Sequence, residues 1–135
     1  YAGSDAPKVV RIWDTIPSQL QRKEKRFRIG ALKKGARTRD YAEAFFWLEE
    51  ARVVNTCYAA TEPSLGLQLN RDDSKYKLYM ADTGLLISHA FSEAEIQDEA
   101  LYKKLLLNKL EINKGMFVEN VVAQLLVASQ KKLFY

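Results

Sequence analysis

Nine lysines and arginines lie between positions 22 and 39, and they give this stretch the most distinctive chemistry in the chain. Glu24 is the one acid among them, so the stretch carries +8 and the rest of the chain −4, since the whole chain is +4. Such concentrated charge indicates a surface for a polyanion or for an acidic protein face, with a solvated loop as the alternative. The candidate nucleic-acid contacts are Lys23, Lys25, Arg26, Arg28, Lys33, Lys34, Arg37 and Arg39.

A second candidate surface follows directly on the basic segment. The helix expected after Asp40 turns Glu43, Phe46 and Glu50 away from its apolar stripe. Recognition helices present Arg, Asn, Gln or Lys to base edges, whereas these glutamates repel phosphate. The pattern instead favours an interface in which Phe46 is an apolar anchor surrounded by charge. We therefore hold open two functions: non-specific phosphate contact, and protein interaction or oligomerisation.

Single residues that could do chemistry have simpler interpretations. Cys57 lies in an expected strand and reads as a small buried hydrophobe, and His89 reads as a structural or surface histidine. Asp82 precedes a Thr-Gly-Leu sequence that is typical of a helix N-cap. Glu119 stands beside the apolar stripe of the last helix and is the one candidate metal-ligating carboxylate. One carboxylate does not hold Mg²⁺, so we expect this chain to contain no catalytic or metal site.

Composition narrows the function further. With one cysteine and one histidine, the chain has neither an internal disulfide nor a multi-histidine metal site of its own. No Gly-x-x-x-x-Gly-Lys-Ser/Thr loop occurs, so the chain lacks an ATPase phosphate cradle. No run approaches the ~20 apolar residues of a membrane span, and no signal pattern opens the chain. We expect a cytoplasmic, non-enzymatic piece of a longer protein, with no cofactor in this chain.

Apolar periodicity predicts the first half of the fold. Residues 9–20 have the spacing of a helix face, which Pro17 should break or kink near Ile16. Residues 41–51 form a second helix, capped by Thr38 or by Asp40 with Glu43 in a capping box. Strands are expected at 53–60, 65–69 and 76–80, with a polar turn at 70–74. Helix, basic turn, helix and three antiparallel strands is the order of a winged helix.

The second half reads as helical. Asp82 caps a short helix, and Ser92 with Glu95 opens another that should run to about Leu110. A last helix carries Val118, Val121, Val122, Leu125 and Ser129 on one face, and its end is followed by two lysines and a strand-like stretch. The predicted fold is α+β, with a winged-helix-like module at 1–82 and a helical segment at 83–135.

Four stretches in this order resemble one family. Residues 12–20, 34–41, 77–86 and 115–123 are together similar to domain of unknown function family 4143. The resemblance covers nearly the whole chain. It implies a winged helix followed by the start of a restriction-endonuclease-like part, with an AAA+-type ATP-binding domain upstream.

That resemblance implies the broader functional expectation. The chain would be an accessory C-terminal module of a prokaryotic ATPase, and ATP and Mg²⁺ would belong to the full-length parent. Its partners would be the ATPase domain, a downstream nuclease-like domain and DNA, but no membrane. Glu119 would match only the first, helical carboxylate of the nuclease cluster.

Overall fold

The computed structural model describes residues 3–91 and 114–135. Within these ranges the chain forms a mixed α+β fold of four α-helices and a two-stranded antiparallel sheet. The helices are α1 (Ala6–Gln21), α2 (Thr38–Glu50), α3 (Thr83–Ala90) and α4 (Lys114–Ala128). The strands are β1 (Val54–Ala60) and β2 (Arg71–Met80), and short 3-10 turns cover Gly3–Asp5 and Ile29–Ala31. None of the described helices is long and apolar enough to cross a membrane.

α1 does not break at Pro17, so the break that the sequence predicted as one of two outcomes is wrong. The helix continues to Gln21, and Ile12, Ile16 and Leu20 on its inner face are fully buried. A proline inside a helix costs about 3 kcal/mol, whereas each buried aliphatic side chain contributes roughly 1.5–3 kcal/mol. Burial on both sides of the proline therefore outweighs the lost hydrogen bond.

α2 forms where its apolar stripe predicts it. Tyr41, Ala44 and Leu48 are buried, whereas Ala51 lies beyond the helix and is exposed. The expected capping box is shifted by one turn. Arg37 occupies the N-cap position, and its backbone N–H donates to Asp40 Oδ2 at 3.2 Å. The predicted pairing of Asp40 with Glu43 is therefore wrong.

In the part of the chain that the structure describes, the sheet has two strands rather than three. β1 pairs with β2 in antiparallel register, with Val54 opposite Met80 and Tyr58 opposite Tyr76. The predicted strand at 65–69 is a turn, in which Leu65 and Leu69 are exposed. Residues 71–74, predicted as a turn, belong to β2 instead. Alternating leucines indicate a strand only where a partner strand buries one face, and no strand in residues 3–91 and 114–135 pairs with this stretch.

Both outer edges of the sheet carry short pairings. On the β2 side, the N–H of Phe27 donates to the Tyr76 carbonyl at 2.8 Å. On the β1 side, Tyr58 forms a parallel bridge with Phe134, supported by hydrogen bonds with Tyr135. The strand-like stretch expected after the last helix therefore lies alongside β1. These pairings satisfy backbone groups that an open edge would leave exposed.

The second half is built partly as predicted. The Asp82 side chain caps α3 by accepting from the N–H groups of Gly84 at 2.6 Å and Leu85 at 3.2 Å, which confirms the N-cap. In α4 the inward residues are Met116, Asn120 and Ala123, whereas the predicted stripe is exposed at Val118, Val121, Val122, Leu125 and Ser129. The helix predicted from Ser92 to Leu110 lies outside the described residues.

Candidate functional site

Four exposed cations surround the start of α2. Lys33 and Lys34 lie in the loop before the helix, and Arg37 and Arg39 lie at its N-cap and in its first turn. Lys33, Lys34 and Arg37 have no ion-pair partner among the described residues. Arg39 has one long ion pair, in which its Nε lies 3.8 Å from Asp40 Oδ1. We call Lys33, Lys34, Arg37 and Arg39 the α2 basic cluster. The N–H groups and dipole of the helix start add to the same positive field.

Arg22 and Lys23 lie away from this cluster. Hydrogen bonding to Asp5 raises the pKa of Lys8, and the charge of Asp40 raises it further. Asp40 therefore lies close to Lys8, so the start of α2 is near the start of α1. Arg22 follows the other end of α1, and a helix rises about 1.5 Å per residue, so roughly 20 Å separates it from Lys8. The fold therefore divides the basic segment into two exposed patches.

Lys25 turns inward, unlike its neighbours in the sequence. Its side chain is 12% exposed, and its Nζ lies 3.2 Å from Glu119 Oε1. Lys77 Nζ lies 3.6 Å from Glu119 Oε2, to which the Tyr79 hydroxyl donates at 2.9 Å. We call Lys25, Lys77, Tyr79 and Glu119 the Glu119 network. It joins the basic segment, β2 and α4 on the sheet face opposite α2.

The charged groups of this network have partners of opposite charge, which is typical of a cluster that stabilises the fold. Burial alone would raise the pKa of Glu119, but the Tyr79 hydroxyl, Lys77 and Lys25 together hold it below its usual value. Burial and the bond to Glu119 raise the pKa of Tyr79. Burial raises the pKa of nearby Cys57 to about 11, so the thiol stays protonated at neutral pH. Both oxygens of Glu119 have partners, and no metal-ligating group of three side chains occurs in residues 3–91 and 114–135.

Two buried amides hold the basic segment and α4 in place. The Gln19 side chain donates to the Arg28 carbonyl and accepts from the Arg28 N–H, at 3.0 and 3.1 Å. Asn120 binds the N–H and carbonyl of Met80, both at 2.9 Å, and so occupies the open edge of β2 like a neighbouring strand. Sequence reasoning missed both residues. The signal that could have identified them was a polar residue within the inward-facing stripe of a helix.

The remaining candidates take varied positions. Arg28 is paired with exposed Glu24 at 2.6 Å. Arg26 is half-buried and lies near Tyr135. Burial raises the pKa of Tyr135, and the charge of Arg26 opposes this rise. Phe46 is 60% exposed on α2, between the exposed Glu43 and Glu50. The structure thus separates three groups of candidates: free cations, paired cations and an isolated aromatic.

Comparison with known proteins corrects the expected family. Residues 1–96 match the model of a domain of unknown function (DUF8612). This is a different family from 4143, so the resemblance stated above is wrong. No curated protein and no solved structure matches the chain.

Proposed function

Since the chain belongs to the DUF8612 family, a domain of unknown function, we propose from its own geometry that it binds nucleic-acid phosphates without sequence preference. The observation that carries this proposal is the α2 basic cluster, whose cations are exposed and largely unpaired. Four cations with a helix N-terminus provide affinity for phosphates but no sequence information.

The topology supports a winged-helix arrangement of this module. The order along the chain is α1, the Phe27 pairing with β2, a 3-10 turn, α2 and the β1–β2 hairpin. In such an arrangement the start of α2 faces the nucleic acid, and the turn at 61–70 is the wing. The middle of α2 opposes base reading, because Glu43 and Glu50 repel phosphates.

Charge reversal tests the proposal. Wild-type protein should bind duplex DNA with a dissociation constant of about 10⁻⁴ to 10⁻⁶ M at physiological salt. Four neutralised phosphates predict a slope of log affinity against log salt of roughly −4. Lys33→Glu, Lys34→Glu and Arg37→Glu together should abolish binding while leaving the thermal midpoint within a few degrees. The matched control reverses Arg11, Arg52 and Lys75, which are exposed elsewhere on the surface.

Failure of the proposal has a clear signature. If wild-type protein shows no salt-dependent binding of duplex DNA at low ionic strength, the cluster is not a nucleic-acid surface. Equal loss of binding in the control triple variant would mean that net charge, rather than this cluster, governs binding.

The exposed Phe46 favours a second candidate function, a protein-interaction surface on α2. Aromatic side chains surrounded by charge are common anchors of interfaces. Phe46→Ala should then weaken self-association or docking measured by sedimentation, while the triple reversal leaves it unchanged. An ATPase parent is not proposed, because that expectation rested on the resemblance to family 4143.

A further inference from the structure

The last helix, α4, is more apolar on its exposed side than on its buried side. Its buried side chains are Met116, Asn120 and Ala123, one of which is a polar amide. The opposite side is a stripe of aliphatic side chains that are 41% to 61% exposed, and we call it the α4 outer face: Val118, Val121, Val122, Leu125 and Leu126. A helix that is apolar on both sides is normally buried on both. The α4 outer face is therefore expected to have a partner.

The size of the α4 outer face is that of an interaction surface. Its five side chains together expose on the order of a few hundred Å² of contiguous apolar area, the range in which such patches are often functional. A single exposed apolar residue, such as Val10 on α1, needs no such explanation. Two copies that pair through this face and its rim would bury about 1,000 Å² in total, which is at the low end for a specific interface.

The spacing of the α4 outer face makes it complementary to itself. Four of its residues stand at positions i, i+3, i+4 and i+7, and this set is unchanged when it is read in reverse: Val118, Val121, Val122 and Leu125. In an antiparallel pair with its two-fold axis between Val121 and Val122, Val118 of each copy meets Leu125 of the other. The valines near the axis are short, so the helices can approach to the usual distance of about 8–10 Å.

The absence of charge from the α4 outer face favours the same partner. None of its five residues is charged, so a two-fold pairing places no like charges opposite each other within the stripe. The acid of α4, Glu119, is paired with Lys25 and Lys77 in the Glu119 network instead. A nucleic acid or a strongly charged protein finds no complementary group on this face, whereas an identical apolar face does.

We propose that the chain forms a homodimer through the α4 outer face, with the two α4 helices antiparallel about a two-fold axis. The face has neither aromatic anchors nor ion pairs, so the expected dissociation constant is in the micromolar range. α4 lies on the sheet face opposite α2, so pairing leaves the α2 basic cluster of each copy uncovered. The dimer is therefore independent of the proposed phosphate-binding function, and either can fail without the other.

Sedimentation equilibrium over a range of micromolar concentrations tests the dimer. Val122→Lys should weaken it by about a hundredfold or more, because the ammonium groups of the two copies meet beside the axis. Val122 is 49% exposed, so the variant should keep its fold, which far-UV circular dichroism checks. Val10→Lys is the matched control, since it adds the same charge to a similarly exposed helix position and should leave the dimer unchanged.

Cross-linking tests the antiparallel register. Val118→Cys and Leu125→Cys chains, mixed and oxidised, should form a disulfide-linked heterodimer, because the two positions face each other across the axis. Each variant alone should not, because its two thiols are then separated by about 10 Å along the helix. The native Cys57 does not interfere, since it is buried and burial raises its pKa to about 11.

The other outcomes overturn the inference. If the wild-type chain is a monomer at every concentration, no second copy covers the face. If Val10→Lys dissociates the dimer as strongly as Val122→Lys, net charge rather than this face governs association. If Phe46→Ala dissociates it while Val122→Lys does not, the interface lies on α2. Cross-linking of either cysteine variant with itself, without the mixed product, would exclude the antiparallel pairing.

Discussion

Lys25 and Lys33 lie eight positions apart in one basic segment, yet the fold places them in opposite surroundings. Lys25 is nearly buried and ion-paired in the Glu119 network, whereas Lys33 is exposed and unpaired in the α2 basic cluster. A buried charge needs a partner and so becomes part of the structure. An exposed charge contributes little to stability and stays available for a ligand. The number of charges in a sequence segment therefore overestimates the charge available for binding unless the direction of each side chain is known.

The largest expected effect tests the sheet that supports both regions. Leu78→Ala should lower the free energy of unfolding by about 2–5 kcal/mol, because the side chain is 1% exposed in the core. Leu65→Ala is the matched control and should change it by less than about 0.5 kcal/mol, because Leu65 is fully exposed in the turn. Urea denaturation measures both. Equal losses at the two positions would restore the predicted strand at 65–69.

Sequence patterns found the elements whose signals are local. The apolar stripes of α1 and α2 and the Asp82 cap depend on residues three or four positions apart, and these predictions are confirmed. The strand at 65–69 failed, because alternation does not reveal whether another strand will pair with it. The inward face of α4 also failed, because Asn120 is polar and yet belongs to the core.

The candidate site was predictable in composition but not in arrangement. The sequence identified every cation of the α2 basic cluster as a candidate, but it grouped Lys25 with them. The partner of Lys25 is Glu119, ninety-four positions away, and no local pattern links the two residues. The two adjoining cavities that share Glu49, Tyr58 and Arg71 in their walls likewise combine residues of α2, both strands and the C-terminal stretch.

Removing the central charge of the Glu119 network should have the next largest effect. Glu119→Gln leaves Lys25 nearly buried without a full counter-charge, so the free energy of unfolding should fall by about 1–2 kcal/mol after allowance for partial exposure. Glu43→Gln on the exposed face of α2 is the matched control, with a change under about 0.5 kcal/mol. If Glu119→Gln is as neutral as the control, the network does not hold the fold together.

The pH dependence of stability should follow from the same carboxylate. The pKa of Glu119 is lowered in the folded chain, so its contribution is fully present above the unfolded value of 4.5 and is lost as pH falls through the folded value. Wild-type protein should therefore lose more stability than Glu119→Gln between pH 5 and pH 3, because unfolding of the wild-type chain takes up about one proton at Glu119 in this range. Thermal melts across this range measure the difference. Parallel curves for the two proteins would contradict the lowered pKa.

The smallest expected effects distinguish most directly between the buried surroundings of Lys25 and the exposed surroundings of Lys33. Lys33→Gln should leave the free energy of unfolding within about 0.5 kcal/mol and should reduce the salt slope of DNA binding by about 1, since one phosphate contact is lost. Lys25→Gln should do the reverse, lowering stability by about 1 kcal/mol and leaving the slope unchanged, because its ammonium faces Glu119 rather than solvent. The same substitution in one segment thus gives opposite pairs of readouts. If both variants reduce the slope alike, Lys25 leaves Glu119 to reach the nucleic acid, and the basic segment acts as one surface after all.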